Sequence, residues 1–263
     1  MNVWGTFICT TGFFLDDFGY YVLGGKDMVS NMTAERPSAK KMDIKKICVL
    51  SLFTALGYLC VFVFRFKVQF LTLEFKDTFI VLAGFVYGPL AALGVSFAES
   101  LLEMLTISDT GFWGALMNFC GSAAFACTAS LIYKYNKSYT GAIIGLVASV
   151  FSMTAVMFLM NLLITPIYMH APLKVVISMI LPLLLPFNLL KSLLNAGYAF
   201  ILYKPIVSAL KSVHALPHGM DNGFKLNKRS VIGMAIAAAI IIASIAVVIM
   251  LFGGSFELVK KAG

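Results

Sequence analysis

The chain has 263 residues, of which 60% are hydrophobic and only 12% are charged. A soluble domain usually carries about 25% charged residues, so this composition excludes a soluble globular protein, and its apolar content excludes a disordered one. The net charge of +8 does not indicate nucleic-acid binding, because the basic residues flank apolar runs instead of sharing one solvated face. The composition predicts an all-α integral membrane protein.

Apolar stretches long enough to cross a bilayer begin after residue 41. Residues 1–41 mix aromatic and polar side chains without the basic-then-apolar order of a signal peptide, and we expect a poorly ordered N-terminal extension there. A spanning helix needs about 20 mainly apolar residues. The stretches that satisfy this rule are 47–64, 78–104, 112–133, 141–169, 180–203 and 231–252.

The second stretch contains a break at Gly88-Pro89. Because proline lacks the backbone donor that a helix interior needs, we predict two shortened helices that meet in a tight turn. The chain then divides into a six-helix membrane domain over 42–212, a basic linker over 213–230, and one additional C-terminal transmembrane helix with a short tail over 231–263.

The distribution of Lys and Arg predicts the orientation. Most of the 20 basic residues lie on the cytoplasmic side if the N-terminus is inside, as the positive-inside rule requires. This orientation leaves Arg65, Lys67 and Lys76 in the first external loop and predicts a multi-pass protein of the cell membrane with a cytoplasmic N-terminus.

Polar side chains within the predicted helices are candidates for a functional site, because each costs free energy in lipid. With the orientation above, they lie in the outer half of the membrane or near its middle, which predicts a pocket that faces outside. Asn188, Lys191 and Asn195 share one helix face, and Lys191 requires a carboxylate or ligand oxygens as its partner. Hydrogen bonds that only tie helices together remain an alternative for each asparagine. The full set is Glu99, Glu103, Asn118, Asn161, Asn188, Lys191 and Asn195.

The first external loop, 65–76, alternates apolar and polar residues over 70–75, which predicts an extended segment. Such a loop can serve as a lid over an external pocket, and an interfacial aromatic belt is an equally weighted alternative. On the first helix, the small residues Ser51 and Ala55 allow close contact with a partner helix.

The sequence lacks the motifs of several kinds of chemistry. The sequence has no phosphate-binding loop, so the chain is not expected to hydrolyse ATP itself. The five cysteines include no C-x-x-C pair, and Pro217 separates His214 from His218, so we predict no disulfide framework and no metal site. No catalytic residue and no resident cofactor are predicted.

Several short motifs, taken together, resemble the riboflavin-specific S component of energy-coupling factor (ECF) transporters, over about 45–212. The most specific of them is Pro-Phe-Asn-x-x-Lys in the sixth helix. The motifs are the run 70–77, the turn Gly88-Pro89-Leu-Ala, Asn118-Phe-x-Gly121, Asn161 within Met-Asn-Leu-Leu, and Pro186-Phe187-Asn188-Leu-Leu-Lys191.

This resemblance implies a vitamin-binding subunit that works with a transmembrane T protein and two ABC-type ATPases. Ser51 and Ala55 would dock the T protein, and the first external loop would close over riboflavin as the transported ligand. The residues implied to bind the substrate are Asn161, Asn188, Lys191, Asn118, Leu73 and Glu74.

Ligand chemistry agrees with riboflavin, because a primary amide offers the donor and acceptor that the polar edge of an isoalloxazine ring requires. One lysine is a poor site for a phosphate, so riboflavin is expected to bind better than FMN. Two alternatives remain: an S component for another vitamin or a nucleobase-like precursor, and a membrane-embedded enzyme that uses Glu99 and Glu103 as an acid and base pair.

Overall fold

A computed structural model of the protein describes residues 44–63, 65–68, 71–107, 111–170, 172–213, 228–252 and 255–257. All of these residues belong to one compact unit, Asp43–Gly263. The predicted extension over 1–41 and residues 214–227 of the predicted linker lie outside the described residues.

The described part of the chain is helical, with three short strands. Its helices are α1 (Ile44–Val63), α2 (Lys76–Tyr87), α3 (Pro89–Thr106), α4 (Gly111–Tyr135), α5 (Tyr139–Met169), α6 (Leu173–Met179), α7 (Leu185–Ser212) and α8 (Lys228–Phe252), and its strands are β1 (Arg65–Val68), β2 (Leu71–Leu73) and β3 (Ser255–Glu257). A π-helical turn, Ile180–Leu184, joins α6 to α7. The all-α fold class predicted from composition is confirmed.

Five helical segments among the described residues are long and apolar enough to cross a membrane. They are Ile44–Val63, Pro89–Thr106, Gly111–Tyr135, Thr140–Ile167 and Leu173–Ser212. Their outward faces carry large exposed apolar side chains that suit lipid, including Leu52, Leu59, Phe97, Phe151, Leu163 and Leu181. A helix of 12 residues such as α2 is about 18 Å long, which is shorter than the bilayer core of about 30 Å.

The predicted break between the second and third helices is present. Gly88 has φ of 91°, a value that glycine adopts without the steric cost of a Cβ atom. Pro89 follows at the start of α3, where its missing N–H costs nothing. The sequence therefore identified both ends of this turn.

The sixth helix differs from its predicted range of 180–203, because helical structure continues from Leu173 to Ser212. Pro182 lies within the π turn, where the N–H of Leu185 donates to the carbonyl oxygen of Ile180. This wider turn accommodates a proline that an ordinary helical turn would not. The two prolines near 182–186 thus reshape a continuous helix instead of starting one.

Helix α2 lies at the centre of the bundle, with Ile80, Val81 and Ala83 fully enclosed. A helix that is apolar on every side is expected in an interior. Small residues allow its neighbours to approach closely, since a Cβ atom added to Gly84 would lie 2.9 Å from that of Ser130. The helix therefore provides a buried scaffold for the polar residues at its N-terminal end.

The extended segment predicted in the first external loop is present as β2, which pairs with β1 in an antiparallel hairpin. Strand β3, from beyond α8, pairs antiparallel with the other edge of β1, so that the strand order is β2-β1-β3. The β1–β2 hairpin is therefore the middle and one edge of a small sheet.

Candidate functional site

Buried charged side chains meet where α2 begins. Nζ of Lys76 lies 2.5 and 2.6 Å from the two carboxylate oxygens of Glu103 in α3, and 3.1 Å from Oε2 of Glu74. Nζ of Lys191 in α7 lies 3.8 Å from Oε1 of Glu74. Glu74, Lys76, Glu103 and Lys191 form what we call the ion cluster, and each is at most 6% exposed.

The Glu74 carboxylate bridges the two lysines of the ion cluster. Burial by itself would raise the pKa of Glu74, but the ammonium groups of Lys191 and Lys76 and the hydroxyl of Thr72 outweigh burial and lower it to about 2. Thr72 Oγ1 donates to Oε1 of Glu74 over 2.7 Å. Glu74 is therefore ionised at neutral pH and holds the end of the hairpin against α7.

The carboxamide of Asn195 in α7 makes four hydrogen bonds, of which three connect α7 to the end of the loop and the first turn of α2. Its Nδ2 donates to the carbonyl oxygens of Glu74 and Lys191 at 2.9 and 3.0 Å. Its Oδ1 accepts from the backbone N–H and the hydroxyl of Thr78, each at 3.1 Å. These bonds satisfy the first turn of α2, so Asn195 fixes the position of the loop.

Helix α4 contributes two polar contacts to this region. Asn118 Nδ2 donates to Oε2 of Glu103 over 2.9 Å, and the hydroxyl of Ser122 donates to Oδ1 of Asp77. Asn118 thus reaches the ion cluster through Glu103. Ser122 satisfies one oxygen of the buried Asp77 carboxyl, and the other, Oδ2, has no hydrogen-bond partner among the described residues.

A cleft of about 180 Å³ lies between α5, the π turn and the start of α7. Asn161 Nδ2 donates to the carbonyl oxygen of Met157 over 2.7 Å, and Thr165 donates to Oδ1 of the same amide. Asn188 Nδ2 donates to the carbonyl oxygen of Leu184 over 2.7 Å. Both amides are oriented by their own helices. The lining residues are Thr154, Phe158, Asn161, Ile180, Leu184, Leu185 and Asn188.

Five of the six residues singled out for substrate binding occupy two places, and the sixth, Leu73, lies in a third. Glu74 and Lys191 belong to the ion cluster, and Asn118 contacts it. Asn161 and Asn188 line the cleft, and Asn188 precedes Lys191 by one helical turn on α7. Leu73 is buried in an apolar cluster with Phe187, Leu194 and Ile241.

The role of Lys76 was not predicted. Its sequence position indicated an external loop, whereas the structure buries this lysine completely between Glu74 and Glu103. The sequence feature that could have revealed the burial of Lys76 was the short apolar run that follows it, because a helix too short to span the bilayer begins inside the bundle. Glu103, predicted as part of a carboxylate pair with Glu99, takes Lys76 as its partner.

The two small residues predicted as a docking surface, Ser51 and Ala55, are both exposed on α1. The opposite face of α1 is buried through Phe53, Gly57 and Val61. Large apolar side chains flank the small pair on the exposed face. The described residues leave this surface exposed, so a partner helix can reach it.

Comparison with known proteins identifies the family. A family model described as "ECF transporter, substrate-specific component" matches residues 45–207. The chain is 30% identical over 183 residues to the riboflavin transporter RibU of Staphylococcus aureus (strain TCH60), covering 64% of this chain and 94% of the relative. It is 25% identical over 188 residues to the riboflavin transporter FmnP of Bacillus subtilis (strain 168), covering 66% and 99%.

A solved structure agrees with this assignment. The S component of a bacterial ECF transporter superposes with a TM-score of 0.56 at 29% identity, covering 65% of this chain and 99% of that one. The chain therefore belongs to the substrate-specific components of ECF transporters, a class of multi-pass membrane proteins. The relatives are transporter subunits and not enzymes, so the alternative of an acid and base pair at Glu99 and Glu103 is not supported.

Proposed function

We propose that this chain binds riboflavin and serves as the riboflavin-specific subunit of an uptake transporter. The main support for the proposal is that the chain is 30% identical to a riboflavin transporter and covers 94% of that relative. Two buried amides that line one cleft add to this support. The six-helix body over 42–212 is the part to which we assign binding, and 231–263 is an addition to it.

The cleft suits one end of a flat heterocycle. The carboxamides of Asn161 and Asn188 offer donor and acceptor atoms to the polar edge of an isoalloxazine ring. Phe158, Ile180 and Leu184 supply the apolar surface that the ring faces require. The same chemistry can hold other heterocycles, so another vitamin or a nucleobase-like precursor is the competing ligand.

Binding requires the cleft to widen. Pockets for small-molecule ligands usually measure about 300 Å³ or more. The space between the atoms that line this cleft, about 180 Å³ with open solvent included, has no room even for a water-sized molecule. It lies beside the π turn, a helical geometry that often occurs at functional sites. Displacement of the π turn away from α5 would widen the cleft, and Lys191, one helical turn from Asn188, would then offer a donor to the ribityl hydroxyls.

The ion cluster disfavours a phosphorylated ligand. Lys191 is already paired with Glu74, and two of its neighbours in the cluster are carboxylates. A phosphate placed there would meet negative charge without an arginine fork to offset it. Riboflavin is therefore expected to bind more tightly than FMN by at least about tenfold, which is about 1.4 kcal/mol.

The test is fluorescence titration of riboflavin and FMN with detergent-purified protein. Asn188→Leu, which keeps the side-chain size but removes both hydrogen-bonding atoms, is expected to weaken riboflavin binding by about tenfold or more. The neighbouring, partly exposed Leu189→Ala serves as the matched control and should bind as the wild type does. Absence of quenching, or FMN binding as tight as riboflavin binding, would contradict the proposal.

Transport needs energy from partner proteins. The exposed pair Ser51 and Ala55 on α1 is the surface to which we assign docking of the T protein, which in turn carries two ABC-type ATPases. We place the N-terminus of α1 in the cytoplasm and the β1–β2 hairpin outside, so that the site accepts riboflavin from the exterior.

A further inference from the structure

The C-terminal part of the described chain lies beyond the family match. The match ends at residue 207, whereas α8 (Lys228–Phe252) and β3 (Ser255–Glu257) follow it. Both elements contact the region assigned to ligand binding. We refer to α8 and β3 together as the strap.

Strand β3 extends the β1–β2 hairpin into a three-stranded sheet. Its register on β1 pairs Phe256 with Phe66 and Ser255 with Lys67. An isolated two-stranded hairpin is marginally stable in water, and a third strand adds a second row of backbone hydrogen bonds. The strap therefore restrains the edge of the hairpin that β2 does not cover.

Helix α8 packs along α7, the helix that carries Asn188 and Lys191. A Cβ atom added to Gly197 would lie 3.0 Å from Cγ1 of Ile241 and 3.6 Å from the carbonyl oxygen of Ala237. This close approach is typical of small residues at helix interfaces in membranes. Ser244 of α8 is also buried, at 3% exposed, so α8 is a fixed neighbour of α7.

The same helix reaches the hairpin. Ile241 is 7% exposed and belongs to the buried cluster that contains Leu73 of β2 together with Phe187 and Leu194 of α7. Leu71 and Ile245 pack against that cluster. Glu74 follows Leu73 directly, so a movement of β2 also moves the carboxylate that Lys191 contacts.

We propose that the strap is a positioning element that holds the β1–β2 hairpin over the site and slows the exchange of ligand. The proposal rests on the proposed function, since the ligand exchanged is the riboflavin of that site. Ile241 acts from within the apolar cluster, and β3 acts through its backbone pairing with β1. The hairpin opens only when both contacts are released, so the strap limits entry and exit alike.

The first experiment compares Ile241→Ala with Ile242→Ala in the full chain. Ile242 is 69% exposed on the same helix and is the matched control. Loss of the buried side chain is expected to raise both the association and the dissociation rate of riboflavin by about tenfold, with a much smaller change in affinity. The rates are measured by stopped-flow fluorescence.

A second variant tests the strand pairing by adding a restraint. Phe66→Cys with Phe256→Cys, in a chain whose native cysteines are replaced, places two cysteines at paired positions of adjacent antiparallel strands, within the Cα separation that a disulfide accepts. Oxidation is expected to slow exchange, and reductant to restore it. In a chain that also carries Ile241→Ala, oxidation should return riboflavin exchange to the slow rate. A general defect in folding would not be reversed in this way.

Hydrogen exchange of the β1 and β2 amides gives a readout that does not need ligand. Ile241→Ala should increase amide exchange in both strands, and Ile242→Ala should not. If riboflavin binds but neither exchange rates nor amide protection change in Ile241→Ala, the strap is overturned and the proposed function stands. If the wild type binds no riboflavin, the proposed function fails, and amide protection alone decides whether the strap holds the hairpin.

Discussion

Single side chains in this protein are defined by their buried partners. Lys191 is an example. The sequence places this cation within a helix, and in the structure its Nζ lies 3.8 Å from Oε1 of Glu74. An ammonium group at that distance from a carboxylate keeps donors available for a further acceptor. Lys191 lies one helical turn from Asn188, which lines the cleft.

Replacement of Lys191 tests its contribution to binding. Lys191→Ala is expected to weaken riboflavin binding by about ten- to a hundredfold, because a charged hydrogen bond contributes about 1.5–3 kcal/mol. The fold should persist, since Glu74 keeps Lys76 as a partner. Fluorescence titration measures the affinity, and exposed Lys174→Ala is the control. Unchanged affinity in Lys191→Ala would remove this residue from the site.

The two carboxylates of α3 differ in their partners, so replacing each by an amide is expected to affect stability in opposite directions. Glu103 holds Lys76, whereas both carboxylate oxygens of Glu99 lack a hydrogen-bond partner among the described residues. Glu103→Gln is expected to destabilise the protein by about 1–3 kcal/mol, because it weakens a buried ion pair. Glu99→Gln removes an unpaired carboxyl without changing its size and should leave stability the same or higher.

Thermal unfolding of both variants in one detergent measures this difference. The size of the side chain at position 99 matters, since a Cβ atom added to Gly57 of α1 would overlap the carboxylate of Glu99. The contact leaves no space for a longer side chain. A larger loss of stability in Glu99→Gln than in Glu103→Gln would refute the assignment of Lys76 to Glu103.

Helix α1 has one face that packs against the bundle and an opposite face that is available to a partner. Its buried residues contact the bundle, and Ser51 and Ala55 lie on the exposed side. Because small residues permit two helices to approach closely, a bulky side chain there should prevent docking without disturbing the site. Binding and transport are therefore separable by a change in this helix.

Ala55→Trp is expected to abolish riboflavin uptake in cells while leaving binding by the purified protein within about twofold of the wild type, since the substitution removes only the close helix contact. Leu163→Trp is the control, because Leu163 is 66% exposed on α5, away from the proposed docking surface. Normal uptake by Ala55→Trp would show that the T protein docks elsewhere.

The whole molecule has a sidedness that follows from its topology. Strand β3 pairs with β1, so the end of α8 lies on the same side of the membrane as the hairpin. The pairing fits either orientation, and we propose that this side is external, as the distribution of Lys and Arg predicts. In the proposed orientation, the loop between α4 and α5 lies inside.

Cysteine labelling tests this sidedness. In a chain without native cysteines, Lys174→Cys in the first turn of α6 should react with a membrane-impermeant maleimide on intact cells. Lys137→Cys between α4 and α5 should react only after the membrane is opened. Both positions are exposed, so accessibility within the fold is matched. The reverse pattern would invert the orientation and place the site on the cytoplasmic side.

The amino-acid sequence by itself determined the class of the protein, the break at Gly88-Pro89 and the polar positions of α7, because hydropathy, proline geometry and helical periodicity are local properties of the chain. It also predicted Asn161 and Asn188 as pocket residues, and both line one cleft in the structure. Tertiary structure decided which charges meet, since Lys76 and Glu103 are 27 residues apart and the partner of Lys191 lies on another element. It also decided that α8 and β3 return to the hairpin. Pairings between distant segments depend on how helices pack, and no local pattern encodes them.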